Sequence, residues 1–188
     1  MKKYTKTKLI YGLAINDADY PVRPIINGKP VLCPFYSVWV SMLNRSYCKK
    51  SHQKKLTYIG CSVVDEWLTF SKFKSWMIKQ DWKGKALDKD VLVQGNKVYS
   101  PLTCIFVTQS INSLLNKNAA LRGKYALGVC FNKCMGKYSS TCRVDGKNKH
   151  LGFFYSPEEA HEVYKSFKYK HIAEIANQQS EPLRTALL

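Results

Sequence analysis

The chain has 188 residues, enough for one large domain or two small ones, each with a modest core. An apolar fraction of 45% with 13% aromatics excludes a disordered chain, and no apolar run approaches the roughly 18 residues of a membrane span. The formal net charge is +17, and it is concentrated in two blocks. Residues 1–58 carry eleven Lys/Arg against two Asp/Glu, and residues 117–171 carry eleven against four, while residues 59–116 are nearly balanced at seven against five. A polyanion is the partner such flanks favour, because each Lys or Arg that meets a phosphate releases a counterion. The N-terminus is basic but is followed by only a short apolar stretch, so it is expected to be part of the mature protein rather than a signal peptide. Seven cysteines, an odd number without a CxxC pair, argue against a disulfide framework and for a reducing compartment, with the cytoplasm (of a host cell, if the chain is phage-encoded) as the expected location. Cys130, Cys134, Cys142 and His150 could be considered for zinc, but knuckle spacing is absent, and small buried hydrophobes are the simpler role for the cysteines.

In chain order, residues 1–33 read as an extended arm, because Asn16 to Asp19 and Pro21, Pro24 and Pro30 interrupt any helix. Residues 34–48 show helical spacing in Phe35, Val38, Trp39, Met42, Leu43 and Tyr47. A basic loop is expected from Lys49 to Lys55 and a short strand or turn over 56–61. The spacing then predicts a helix over 64–80, with Trp67, Phe70, Phe73, Trp76 and Met77 on one stripe, a pattern that marks core. Residues 86–115 hold two β-rich pieces about the turn Gln94-Gly95-Asn96, then a piece ending in a short helix from about Thr108. The polar joint 116–123 is the expected domain boundary.

Residues 124–155 read as a three-stranded meander. Gly136 lies in the first turn and Asp145-Gly146 forms a strong hairpin signal. Ser156, Pro157 and Glu159 then mark a helix start with N-cap, N1 proline and capping box, and Ala160, Val163, Tyr164, Phe167, Ile172 and Ile175 give that helix one apolar face. The tail after Gln178 is expected to fray. The free side of such a sheet should carry Lys133, Lys137, Arg143, Lys147 and Lys149, depending on register. A twisted sheet of this size can enter a major groove.

This segment closely resembles the DNA-binding domain of plant ethylene-response-factor proteins and its phage relatives. The resemblance rests on Gly128-Val129, Gly136-Lys137-Tyr138, Arg143-Val144, Asp145-Gly146-Lys147, His150 to Phe154, and Pro157 to Ala160, about 50 residues in all. It implies a three-stranded antiparallel sheet packed on one helix, with the sheet in the major groove. Tyr138 takes a position where the family often has Trp, and Arg143 matches a family Arg. Leu127 and Cys130 stand where base-reading arginines are common, so two of the family's base-reading arginines are missing here, while the remaining lysines could still bind phosphates.

The first 115 or so residues resemble phage proteins that pair an HNH (His-Me finger) endonuclease domain with the domain above. The stretches concerned are YGLAINDADYPV, CPFYSVWVSMLNRSYC, YIGCSVVDEWLTFSKFKSWM and LDKDVLVQGNKVYSP. An HNH site holds one divalent metal on a ββα unit beside a general-base His. The outline falls on residues 87–114, with Asp88 and Asp90 at the first strand, Asn96 in the loop and Asn112 on the helix. No His occurs between His52 and His150. The base would then be one of the two aspartates, or Lys89 or His52 from elsewhere, or the domain would bind DNA without cutting it.

The sequence therefore gives an α+β expectation with two domains. Residues 1–118 would form an HNH-like ββα-metal domain with helical additions and a basic arm, and 119–188 the ethylene-response-factor-type domain and tail. The implied activity is metal-dependent DNA endonuclease action of the phage homing type, and the alternative is a catalytically inactive DNA-binding regulator or counter-defence factor. The candidate catalytic residues are Asp88, Asp90 and Lys89. The candidate metal ligands are Asp88, Asp90 and Asn112, oxygen donors suited to magnesium. The candidate DNA contacts are Lys133, Lys137, Tyr138, Arg143, Lys147 and Lys149. The implied partner is duplex DNA, with no membrane.

Overall fold

A computed structural model describes residues 9–115 and 124–188. It is mixed α+β and divides into two compact units, Met1–Thr108 and Gln109–Leu188. The division falls N-terminal of the polar joint 116–123, which lies outside the described residues, as do residues 1–8 of the basic arm. Among the described residues no helix is long and apolar enough to cross a membrane.

In the first unit, residues 9–33 do more than extend. Ala14 is fully buried, and Ile15 threads between two segments, donating its amide to Leu68 O (2.8 Å) while its carbonyl accepts from Phe70 N (3.0 Å). A small hairpin follows, β1 (Ile25–Ile26) paired with β2 (Lys29–Pro30). Asn27 and Gly28 between them both have positive φ, the conformation a two-residue type I′ turn requires. Helix α1 (Pro34–Tyr47) starts on proline at N1, where the missing N–H is harmless, and buries Trp39, Met42 and Leu43. The expected basic loop after it is instead a short helix, α2 (Lys49–Lys54), and Leu56–Tyr58 is a 3₁₀ turn.

The expected helix over 64–80 is broken in two. Asp65–Leu68 is 3₁₀, Thr69 is extended, and helix α3 spans Phe70–Met77. The break is where Ile15 bridges Thr69, so a strand-like pairing from 54 residues upstream overrides local helix preference. The aromatic stripe still forms the core. Trp67, Phe70, Phe73 and Met77 are buried, and the Trp39 indole donates to Trp67 O at 2.7 Å. Trp76 packs against Trp67 and Phe106 at ring distances of 4.5 and 5.8 Å. Two small sheets close this core. Strand β3 (Ser62–Val63) runs parallel to β5 (Val98–Tyr99), and β4 (Ala86–Asp88) runs antiparallel to β6 (Ile105–Val107).

The second unit opens on α4 (Gln109–Leu115). Its sheet is antiparallel in the order β7 (Val129–Asn132), β8 (Lys137–Val144), β9 (Lys147–Phe154). Asp145 and Gly146 both have positive φ and close the β8–β9 hairpin, and Gly136 does so in the β7–β8 turn. Helix α5 (Pro157–Asn177) packs on the sheet, and Ser156 Oγ accepts from Glu159 N at 3.1 Å as the N-cap. The core here is Cys142, Ala160, Tyr164 and Ala176. The tail does not fray. A final helix, α6 (Leu183–Leu187), returns on α5 and buries Leu183 and Leu187.

Candidate nucleic-acid interface

The face of the three-stranded sheet turned away from α5 follows from the hairpin register. Asp145-Gly146 is a two-residue loop, so Val144 pairs with Lys147, Arg143 with Asn148, and Cys142 with Lys149. Ser140 and Cys142 are buried, which fixes their side of β8 as the helix side. Alternation then leaves Lys137, Ser139, Thr141 and Arg143 on the free side. Asn148 and His150 join them from β9, with Cys130 and Asn132 from β7.

A bulge interrupts the alternation. Ser140 pairs with Gly152 and Thr141 with His150, which leaves Leu151 as the extra residue. The bulge brings Phe153 back to the free side, opposite Ser139, where its ring meets His150 at 4.5 Å. Beyond it Tyr155 is largely exposed, with the Lys137 ammonium 4.4 Å over its ring. The free face thus carries two cations, polar donors and acceptors, and aromatic edges. None of its strand positions is Asp or Glu. The carboxylates of this unit lie elsewhere, at the hairpin tip (Asp145), on α5 (Glu158, Glu159, Glu162, Glu174) and at Glu181 ahead of α6.

Among the expected DNA contacts, Lys137 and Arg143 lie on this face, and Lys133 is exposed in the β7–β8 turn. Lys147, Lys149 and Tyr138 do not lie on it. Lys149 turns to the helix side, its ammonium 4.8 Å over the Phe167 ring of α5. Tyr138 shares the side of Ser140 and packs between Phe131 and Tyr125, at 5.0 and 5.1 Å. Desolvation raises the Tyr138 pKa, and the neighbouring Tyr125 adds to it. Asn148, His150 and Phe153 take the places of these residues on the free face. Asn148 and His150 could have been found by counting outward from the Asp145-Gly146 turn. Phe153 could not, because the bulge at Leu151 has no signal in the sequence. The same register separates Cys142 from His150 on opposite faces, so the four residues considered for zinc do not converge.

The loop Asp88–Val98 is held together from within. Asp88 Oδ1 accepts from the amides of Asp90 (2.7 Å) and Val91 (2.9 Å). The Lys89 side chain is 6% exposed, and its ammonium donates to Asp90 Oδ1 (2.5 Å) and Asn96 O (2.7 Å). Asn96 stitches the far side, donating to Lys89 O and Val98 O and accepting from Val98 N. From α1, Arg45 donates to Leu87 O at 3.2 Å and stacks over Tyr99. Burial raises the Tyr99 hydroxyl well above its ordinary pKa and pushes the nearby Cys104 thiol up to about 12, so neither is a nucleophile. His52 is tied to Arg45 O at 2.9 Å.

In this arrangement the ammonium of Lys89, a catalytic candidate from the sequence, is engaged by Asp90 and Asn96 O. Asp88 and Asp90 each spend an oxygen on the loop's own donors, and Asn112 stands on α4 of the other unit. Among the described residues no three His, Cys, Asp or Glu gather as a metal-binding group. A divalent ion at Asp90 would also displace or face the Lys89 ammonium, an electrostatic penalty in a partly buried setting. The donor set of this loop does not fit a metal. No protein-family model, curated protein or solved structure matches the chain.

Proposed function

We propose that this protein binds duplex DNA through the free face of the β7–β8–β9 sheet. The observation that supports the reading most is the segregation of charge in that unit, with Lys137 and Arg143 on a face without a carboxylate while the acids sit on the helices and at the hairpin tip. Three strands spaced by about 4.8 Å give a backbone width near 10 Å, which suits a major groove of about 12 Å. Asn148, Ser139 and Thr141 supply hydrogen-bonding groups for base edges, and lysines supply the phosphate contacts that set register. A-form RNA has too narrow a major groove for this face, so DNA is the favoured duplex.

The test is fluorescence anisotropy with duplex DNA, duplex RNA and single-stranded DNA at several stated salt concentrations. DNA duplex is expected to bind most tightly, with a linear fall in log affinity against log salt. The double variant Lys137→Ala/Arg143→Ala is expected to weaken binding at least tenfold and flatten the slope. Binding left intact by that variant would overturn the assignment of this face.

A second reading, phosphodiester hydrolysis by the ββα-like unit, rests on element order. Strand β4 ends on Asp88 and pairs with β6, and α4 follows β6 in sequence. The engaged state of Asp88, Lys89 and Asp90 places it second. Plasmid nicking by the wild type with magnesium or manganese, lost in Asp88→Ala, would reverse that order.

A further inference from the structure

The second unit contains a cavity of about 510 Å³ that the sheet face does not account for. Its lining includes Lys168 and His171 from α5, Arg143, Asp145 and Gly146 from the β8–β9 hairpin, and Ser113 from α4. Lys168 and His171 stand three residues apart, on one face of α5. Lys168 is half-buried, and burial holds its pKa below the ordinary lysine value, opposed only by the Cys142 thiol. Neither Lys168 nor Arg143 has a carboxylate within ion-pair distance among the described residues. Glu174 reaches His171 only at 3.8 Å, and Asp145 is the sole carboxylate residue of the lining. A partly desolvated lysine beside an arginine and a histidine, with one carboxylate against them in the lining, favours an anion.

We propose that this cavity binds a phosphate monoester through Lys168 and His171 of α5 and Arg143 of the hairpin. The volume is within the range of small-ligand sites, about 300–1,000 Å³. A monoester carries a charge of about −1.5 to −2 at neutral pH, against which the lining sets two permanent cations and one carboxylate, a net charge of the opposite sign. His171 adds a donor, and Ser113 contributes a hydroxyl. The ester can belong to the end of a nucleic-acid strand or to a free small molecule, since the recognised chemistry is the same. The site adjoins the DNA-binding face at Arg143, which both would use, and goes beyond it through Lys168 and His171, which project from the helix.

Titration of the full chain with inorganic phosphate, followed by amide NMR at constant ionic strength, tests this. Saturable shifts at Gly146, Lys168 and His171 are expected, absent with chloride alone. Lys168→Met is expected to weaken phosphate at least tenfold, and His171→Gln severalfold. Lys137→Ala should leave it unchanged while weakening duplex DNA, so failure of this site and failure of the sheet-face reading are separable. Displacement of bound phosphate by a 5′-phosphorylated duplex, but not by its 5′-hydroxyl counterpart, would support the site and assign the source as a strand end. Saturable phosphate binding displaced by neither duplex would support it with a free ligand as the source. Shifts spread evenly over surface lysines, or Lys168→Met binding phosphate as the wild type does, would overturn the proposal.

Discussion

Gly128 and Tyr164 occupy one another's space: a Cβ built on Gly128 would lie 2.1 Å from Tyr164 Cδ2. Gly128 also has φ of +83°, and His161, which stacks on Tyr164, bonds through its ring nitrogen to Leu127 O at 3.0 Å. The chain entering β7 is thereby pressed onto α5 at a point where only glycine fits. Gly128→Ala is expected to destabilise the second unit by about 2–4 kcal/mol, combining left-handed strain with overpacking. Gly136→Ala, at φ of +61° with open space around it, should cost only about 1 kcal/mol. Urea unfolding of the two variants checks the difference. Equal effects would mean that the Tyr164 contact is not what requires glycine.

Ser140 is fully buried under α5, and its hydroxyl has no hydrogen-bond partner among the described residues. Removing a buried, unsatisfied hydroxyl relieves a desolvation cost at the expense of a small void. Ser140→Ala is expected to be neutral or to stabilise by about 1 kcal/mol, read as a rise in Tm. A clear fall in Tm would show that the hydroxyl has a partner after all.

Lys149 and Lys137 carry the same charge on opposite sides of the sheet. Lys137→Ala should weaken duplex DNA by roughly 1 kcal/mol and lower the salt slope by about one. Lys149→Ala should change affinity far less, since its ammonium covers the Phe167 ring. Anisotropy measured on both variants at matched salt decides this, and a larger loss for Lys149 would reverse the proposed face.

Asn96 satisfies three backbone groups of the loop Asp88–Val98. At about 1 kcal/mol for each net hydrogen bond, reduced by partial exposure, Asn96→Ala should cost about 1–3 kcal/mol. Hydrogen exchange should show the loop opening before the rest of the first unit. Unchanged protection would indicate that the Lys89 ion pair alone closes it.

Asp17 caps α3 from far upstream, accepting from the Ser71 amide at 2.8 Å and its hydroxyl at 2.5 Å. Burial works against the carboxylate, but these bonds outweigh it and hold its pKa below the ordinary 3.8. A depressed folded-state pKa gives stability that is present above the unfolded value and lost as pH falls through the folded one. Stability of the first unit should therefore drop below about pH 4 through Asp17, and Asp17→Asn should flatten that limb of the Tm profile. A profile unaltered by the substitution would assign the acid limb to other carboxylates.

Local signals in the sequence determined the α+β composition, helix α1, the aromatic core stripe, the Asp145-Gly146 hairpin and the Ser156-capped start of α5. Each depends on neighbours within a few residues: periodic apolar positions, a turn that needs positive φ, and a side chain that caps its own helix. Other features came from contacts between distant residues. Ile15 split the expected helix over 64–80, the bulge at Leu151 placed Phe153 on the free face, and the return of α6 buried a tail that composition alone marked as loose. The loop at Asp88 shows the limit most clearly. Asp-Lys-Asp in sequence suits a metal site or a self-satisfied turn equally well, and only the tertiary structure showed Lys89 buried against Asp90 and Asn96 O while Asp88 accepts from the loop's own amides.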